Sequence, residues 1–209
     1  MKVAIIKYNA GNVRSVIFAL DKIGIEPFLT DNPQELRSAD KVIFPGVGDA
    51  ASTMKYLRSK NLEKVIVDLK QPVLGICLGM QLMCKYSEEG NTDCLGIFDQ
   101  NVCRLNDSIT LQDKVSRQES VRGSLKIPQT GWNNIINLKG KLFERVEENS
   151  FMYFVHSYYV ELGPNTIATT NYITEYSSAI HKNNFYAVQF HPEKSGESGQ
   201  KILENFIKL

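Results

Sequence analysis

The sequence lacks the features that identify several large classes of protein. Its formal net charge is only +1 over 209 residues, so no strong field favours nucleic acid or an acidic membrane surface. No apolar segment approaches the length of a membrane-spanning helix, and the apolar run near the start is too short for a signal peptide. We therefore expect a cytoplasmic protein that binds neither nucleic acid nor membrane.

Metal-binding patterns, repeats and linkers are also missing. The chain has only three histidines, and its four cysteines fall at spacings that match no zinc motif. We expect no metal and no cofactor, and we interpret Cys84, Cys94 and Cys103 as structural. Because no repeat or linker divides the chain, residues 1–209 are expected to form one domain.

The first half of the chain alternates strand and helix patterns. Lys2–Tyr8 is apolar and β-branched, which predicts a strand, and the apolar residues of Val13–Ile23 recur with the helical period. Such alternation predicts an α/β fold with a mostly parallel central sheet flanked by helices, with its sites beyond the carboxyl ends of the strands. The same reasoning predicts strands at Pro27–Thr30, Asp40–Phe44 and Val73–Ile76, and helices at Ala50–Arg58, Leu62–Lys70 and Leu78–Tyr86.

The second half has the pattern of an antiparallel extension. Phe151–Tyr159 is predicted as one long aromatic strand, while Ala179–Lys182 and Phe185–Phe190 flank a pair of asparagines that suits a hairpin turn. Gly199–Lys208 is predicted as a closing helix. Residues 106–126 are polar and aperiodic, and we interpret them as a surface excursion with no inferred role.

One short motif carries the sharpest chemical signal. Gly75-Ile-Cys77-Leu-Gly79 lies between a predicted strand and a predicted helix, as in the turn called a nucleophile elbow. Such a turn projects the sulfur at a helix N-terminus, which favours the thiolate. In isolation, the motif could equally be a buried cysteine in a glycine-rich turn. The strand–turn–helix context favours a nucleophile.

A nucleophilic cysteine needs a base that is oriented by a third group. His191 and Glu193 are two residues apart at a predicted strand end, so their side chains would point to the same side. Glu193 could accept the Nδ1 proton of His191 and leave Nε2 facing Cys77. His156 is a weaker candidate because no carboxylate is spaced to orient it, and His181 lies at the predicted hairpin turn.

Attack on an amide also needs donors for the oxyanion that forms. The N–H of Leu78, directly after the nucleophile, is one natural donor. A second could come from Pro45-Gly46-Val47-Gly48, where Val47 and Gly48 are the candidate residues and the glycines allow close backbone approach. A tight turn that binds no ligand would have the same sequence.

These motifs together resemble a known family. Gly-Ile-Cys-Leu-Gly-Met-Gln with His-Pro-Glu near the C-terminus resembles the triad, or class I, glutamine amidotransferases, which have a flavodoxin-like fold. Pro-Gly-Val-Gly, Gly131-Trp132-Asn133, Phe-Val-His-Ser-Tyr and Glu-Lys-Ser-Gly are similar to the glutaminase subunits of imidazole glycerol phosphate synthase. The resemblance covers nearly the whole chain except residues 106–126.

The resemblance implies a reaction and a set of glutamine-binding residues. Cys77 would attack the side-chain amide of L-glutamine to form a γ-glutamyl thioester, and His191, oriented by Glu193, would protonate ammonia and then activate water. The implied glutamine-binding residues are Gly48, Gln81, Glu89, Ser157 and Tyr158, with Glu89 on the ammonium group and the backbone of Ser157 and Tyr158 on the carboxylate.

The resemblance also implies a partner. In this family the ammonia enters a cyclase subunit, with which the glutaminase forms a heterodimer. The cyclase splits a phosphoribulosyl-formimino nucleotide into imidazole glycerol phosphate and an aminoimidazole carboxamide nucleotide (AICAR) in histidine biosynthesis. The interface positions match Asn12, Trp132, Tyr153 and Lys194. Without the family, the two aromatic residues would be interpreted as core or surface-patch residues, and the lysine as a solvated charge.

The chain departs from the family pattern at Gln129-Thr130, where His-Met is usual before Gly-Trp-Asn. This change leaves open a related glutaminase that feeds ammonia to a sugar-modifying synthetase. A non-catalytic binding module is a further alternative, which the intact Cys, His and Glu disfavour. We also expect the Pro45–Gly48 segment to lack an aligned oxyanion donor until the partner's ligand binds.

Overall fold

The computed structural model of the chain describes residues 1–8, 13–46, 48–106 and 126–209. Within these ranges the strands are β1 Val3–Ile6, β2 Pro27–Thr30, β3 Lys41–Phe44, β4 Val73–Ile76, β5 Tyr86–Ser87, β6 Thr92–Asp93, β7 Asn101–Arg104, β8 Gln129–Asn134, β9 Phe151–His156, β10 Tyr158–Val160, β11 Thr166–Asn171, β12 Glu175–Lys182 and β13 Phe185–Val188. The helices are α1 Val13–Lys22, α2 Pro33–Ser38, α3 Ala50–Ser59, α4 Leu62–Val67, α5 Leu78–Met83 and α6 Gly196–Lys208, with short 3₁₀ turns at Lys141–Phe143 and Pro192–Lys194.

The main sheet has a parallel centre and an antiparallel extension. Its strand order is β2-β1-β3-β4-β13-β12-β10-β7-β5-β6, with β11 beside β12. The first five strands are mutually parallel, and the strands from β13 through β12 and β10 to β7 are antiparallel. Strands β8 and β9 form a separate antiparallel pair. The predicted α/β architecture is therefore confirmed.

The buried central strands explain why helices cover both faces of the sheet. All four residues of β1 are inaccessible to solvent, which is typical of a parallel strand between two layers. Ala4 and Ile6 belong to one apolar cluster, whereas Val3 and Ile5 belong to another on the opposite face. Each face of the sheet thus has its own core.

Local signals in the sequence place several element ends. Gly24 has φ of +77°, and the N–H of Ile25 donates to the carbonyl of Leu20 at 3.0 Å, which closes α1. The hairpin between β12 and β13 is present as predicted, with Asn183 in the left-handed region at φ of +56°.

Three predicted elements were wrong in extent. The aromatic run Phe151–Tyr159 is not one strand: it breaks at Ser157, and β9 pairs with β8 while β10 joins the main sheet. The predicted helix Leu78–Tyr86 ends at Met83, because the chain turns there into β5. The helix predicted over Leu62–Lys70 ends at Val67.

None of the helices in the described ranges is both long and apolar enough to cross a membrane. The predicted surface excursion falls almost entirely on residues 107–125, which lie outside the described residues, as do Asn12 and Val47.

Candidate active site

Cys77 occupies a strained turn between β4 and α5. Its φ of +51° and ψ of −108° are unusual for a residue with a side chain. The glycines around it are required by close packing: a Cβ on Gly79 would lie 2.0 Å from the carbonyl oxygen of Phe44, and one on Gly46 would lie 2.3 Å from the Gly79 nitrogen. The turn therefore has the geometry of a nucleophile elbow, and the segment after β3 packs directly against it.

The sulfur of Cys77 is buried among polar groups. The side-chain amide of Gln189 donates to Sγ at 3.6 Å, and the Val155 carbonyl oxygen lies 3.7 Å from Sγ. The sequence offered a signal for Gln189, which is a polar residue directly after the buried strand β13, but we assigned it no role. Gln189 is thus a functional candidate that the sequence motifs alone do not identify.

His191 and Glu193 form the hydrogen bond that their spacing predicts. Nδ1 of His191 lies 2.9 Å from Oε1 of Glu193, and the Pro192–Lys194 turn holds both side chains. Burial alone would lower the pKa of His191, but its hydrogen bonds with Cys77 and Glu193, and the negative charges of both, raise it to about 10. The imidazole is therefore cationic at neutral pH, between the Cys77 sulfur and the Glu193 side chain.

The two other histidines are not placed to act as the base. His156 is buried, and its ring nitrogens lie 2.8 Å from the Tyr158 carbonyl oxygen and 3.2 Å from the Tyr176 hydroxyl. His181 lies on the hairpin, where it stacks on Tyr186 with ring centroids 4.1 Å apart. Neither contact leaves a ring nitrogen facing Cys77.

A cavity of about 390 Å³ opens over the sulfur. Such a volume is in the range of small-molecule sites. The structure brings every predicted glutamine-binding residue to its wall. The lining residues are Gly46, Gly48, Cys77, Leu78, Gln81, Glu89, Pro128, Val155, His156, Ser157, Tyr158, His191 and Lys194.

Two polar side chains in this cavity suit a cationic group. Burial raises the pKa of Glu89, although its hydrogen bond from the Ala50 N–H, 2.8 Å long, lowers it. Gln81 donates through its side-chain nitrogen to the Tyr158 carbonyl at 2.9 Å and to Gln189 Oε1 at 3.0 Å. Because both amide protons are used, Gln81 can offer a ligand only its oxygen.

An exposed aromatic face lies beside the cavity on β8 and β9. Trp132 and Tyr153 are paired across these strands with ring centroids 5.8 Å apart, and Lys194 Nζ lies 5.8 Å from the Tyr153 ring centroid. Trp132 is 56% exposed and Phe151 is 62% exposed, so this is a surface patch and not core. On the opposite face of the same pair of strands, Gln129 on β8 and Met152, Phe154 and His156 on β9 are buried.

Within the described residues, no group of three or more His, Cys, Asp or Glu side chains is arranged to hold a metal ion. All four cysteines are free thiols. The site thus presents a cysteine sulfur, an imidazolium and a glutamate side chain, with polar groups for a zwitterionic ligand.

Comparisons with known proteins agree with this geometry. The model of the class-I glutamine amidotransferase family matches residues 5–209. The chain is 53% identical over 209 residues to imidazole glycerol phosphate synthase subunit HisH of Bacteroides fragilis (strain YCH46), and covers 100% of both chains. It is 40% identical over 211 residues to the HisH subunit of Escherichia coli (strain K12), again over 100% of both.

A solved structure shows the same fold at low identity. A glutamine amidotransferase from Thermotoga maritima superposes with a TM-score of 0.61 at 16% identity, covering 99% of this chain and 82% of that one. This likeness concerns the fold alone.

Proposed function

Since this chain belongs to the class-I glutamine amidotransferases, and among them to the HisH subunits of imidazole glycerol phosphate synthase, we propose that Cys77, His191 and Glu193 hydrolyse L-glutamine to glutamate and ammonia. The observation that carries the proposal is the hydrogen-bonded set formed by the elbow thiol, the buried imidazole and the Glu193 carboxylate. We assign the whole chain, residues 1–209, to one amidotransferase domain.

The first half of the reaction forms a thioester. The Cys77 thiolate adds to the side-chain carbonyl carbon of glutamine, and the negative charge moves to the carbonyl oxygen. Nε2 of the His191 imidazolium then gives its proton to the amide nitrogen, which leaves as ammonia when the carbon–nitrogen bond breaks. Glu193 holds Nδ1 throughout, so the ring keeps the orientation needed for this transfer.

The second half releases glutamate. Neutral His191 takes a proton from water, the resulting hydroxide attacks the thioester carbon, and the carbon–sulfur bond breaks to return the thiolate. The balance needs only water, so no cofactor is required. The Leu78 N–H is the first proposed oxyanion donor, and Val47 with Gly48 is the second.

The cavity has the polarity that a free amino acid requires. We assign the ammonium group of glutamine to Glu89 and to the side-chain oxygen of Gln81. Both Gln81 hydrogen bonds described above use its nitrogen, which leaves the oxygen for the ligand. We assign the carboxylate to the backbone of Ser157 and Tyr158 on the same wall. Gly48 covers the substrate.

We further propose that the ammonia passes to a cyclase subunit docked on the aromatic face of β8 and β9. Trp132 supplies an exposed ring and Tyr153 a partly exposed one, and such residues are enriched in interfaces. Lys194 lies both in the cavity wall and beside Tyr153. Asn12 is assigned to the same interface from the family pattern. The cyclase would use ammonia to form imidazole glycerol phosphate and AICAR in the cytoplasm.

The test is glutamate release from glutamine by the purified chain, alone and then with the cyclase plus its nucleotide ligand. We expect strong stimulation by the complex, abolished by Cys77→Ala and retained by Cys103→Ala, the matched control outside the cavity. Activity indifferent to the cyclase would overturn the partner assignment, and a Cys77→Ala variant as active as the unmodified chain would overturn the triad.

A further inference from the structure

A chain of buried hydrogen bonds runs behind the cavity wall. It begins at the Gln129 side chain on β8, whose Oε1 lies 2.9 Å from the hydroxyl of Tyr176 on β12. The same hydroxyl lies 3.2 Å from Nε2 of His156 at the end of β9. All three residues are at most 6% exposed, so water does not compete for these bonds. The triad mechanism uses none of them.

The chain ends on the wall of the cavity. Nδ1 of His156 lies 2.8 Å from the carbonyl oxygen of Tyr158, and the same oxygen accepts the Gln81 side chain at 2.9 Å. Two side chains therefore converge on one backbone oxygen, in the segment to which we assign the substrate carboxylate. Fixing that oxygen fixes the Ser157–Tyr158 segment, whereas Gln81 is also held by its bond to Gln189 Oε1 at 3.0 Å.

Proton counting gives the direction of the chain. A carbonyl oxygen can only accept, so Nδ1 of His156 must carry a proton. Burial lowers the pKa of His156 to about 4, with the charge of His191 adding to this and the Tyr158 bond opposing it, so the ring has one proton at neutral pH. Nε2 is then the acceptor for the hydroxyl proton of Tyr176.

Gln129 completes this arrangement. Its Nε2 is buried and has no hydrogen-bond partner among the described residues. Turning the carboxamide about its last bond brings that N–H donor to the Tyr176 oxygen. That oxygen can accept, because its own proton is donated in a hydrogen bond to Nε2 of His156. Each link in the chain then has one donor and one acceptor, and the tautomer that donates to Tyr158 is the favoured one.

We propose that His156 is a positioning residue for the substrate, acting through the Tyr158 carbonyl. It holds the Ser157–Tyr158 backbone in the arrangement that receives the carboxylate of glutamine. Tyr176 and Gln129 hold His156 in its donating tautomer. This inference rests on the proposed glutaminase function and names three further residues that determine substrate affinity.

The experiment compares two substrates in the complex with the cyclase and its nucleotide ligand. KM and kcat are measured for L-glutamine and for L-glutaminamide, in which the carboxylate is replaced by an amide. We expect His156→Leu to raise KM for glutamine about tenfold with a much smaller change in kcat, because loss of a positioned hydrogen bond is worth about a factor of ten. KM for L-glutaminamide should change far less.

Conservative variants separate positioning from general damage. His156→Asn keeps a donor near the position of Nδ1 and should restore most of the affinity for glutamine. Tyr176→Phe removes only one hydroxyl and should raise KM for glutamine more than KM for L-glutaminamide. His181→Leu and Tyr186→Phe, on the hairpin of β12 and β13 away from the cavity, are the matched controls. Tyr176→Phe carries the test if His156→Leu does not fold, as judged by circular dichroism.

Equal losses with both substrates, or an Asn variant no better than Leu, would overturn the positioning role. A wild-type complex that does not hydrolyse glutamine would overturn the proposed function instead, so the two failures are distinguishable.

Discussion

The side-chain amide of Gln189 donates to the sulfur of Cys77 at 3.6 Å and accepts the side-chain amide of Gln81 through its oxygen at 3.0 Å. The nucleophile is thus linked to the substrate-binding wall by a fully buried glutamine. This link stabilises negative charge on sulfur, because an N–H donor to an anion is stronger than one to a neutral atom.

Replacing Gln189 should therefore slow the chemical step. We expect Gln189→Leu to lower kcat for glutamine hydrolysis by roughly one to two orders of magnitude, in line with loss of one hydrogen bond to a charged group. The rate at which iodoacetamide alkylates Cys77 should fall as well, because the thiolate has lost a donor. Gln200→Leu, on the exposed face of α6, is the control. An alkylation rate equal to that of wild type would count against a role at the sulfur.

The raised pKa of His191 predicts how the stability of the chain depends on pH. The folded pKa of about 10 exceeds the ordinary value of 6.5, so the folded state binds the proton more tightly than the unfolded state. This contribution is fully present below pH 6.5 and is lost as pH rises through about 10.

The measurement is urea unfolding at several pH values across that window. Cys77→Ala removes the partner that most raises the pKa, so its free energy of unfolding should fall less steeply with rising pH than that of the wild type. Cys103→Ala is the matched control and should keep the wild-type slope. Identical slopes for wild type and Cys77→Ala would show that Cys77 does not raise the pKa of His191.

Glu89 should control affinity for the ammonium group of the substrate. We expect Glu89→Gln to raise KM for glutamine about tenfold with a smaller effect on kcat, because a charge-assisted hydrogen bond becomes a neutral one. The neighbouring Glu88→Gln is the control, since Glu88 bonds the backbone of Arg104 outside this cavity. A KM that responds equally to both substitutions would remove the assignment.

Trp132 should be an anchor of the cyclase interface. We expect Trp132→Ala to weaken association with the cyclase by about 2 kcal/mol or more, the size typical of an exposed aromatic residue at the centre of an interface. Isothermal titration calorimetry measures this directly. Leu29→Ala, an exposed apolar residue on β2 at the far edge of the main sheet, is the comparison. Equal affinities for the two variants would place the interface elsewhere.

Local patterns in the sequence predicted the parts of the site that depend on neighbours along the chain. The elbow is specified by glycines on either side of Cys77, and the bond between His191 and Glu193 joins residues two apart. The central parallel strands β1, β3 and β4 were predictable because their apolar runs are buried on both faces.

What the sequence did not reveal depends on contacts between distant residues. No glycine or proline marks the break at Ser157, and the apolar alternation continues through Phe151–Tyr159. The change shows only in the pairing, because β9 pairs with β8 while β10 pairs with β7. The bond from Gln81 to Gln189 joins residues 108 positions apart. No periodicity within one segment encodes such a pairing.

The backbone at Cys77 also sets two selective pressures against each other. The φ of +51° at Cys77 is favourable for glycine but strained for a residue with a side chain, so stability alone would favour glycine at the position of the nucleophile. A substitution that relaxes the turn would remove the nucleophile, whereas keeping Cys77 leaves the fold less stable than it could be. In a lineage that no longer needed the reaction, substitution of Cys77 by a residue that fits this backbone conformation with less strain would not be opposed by a loss of folding stability.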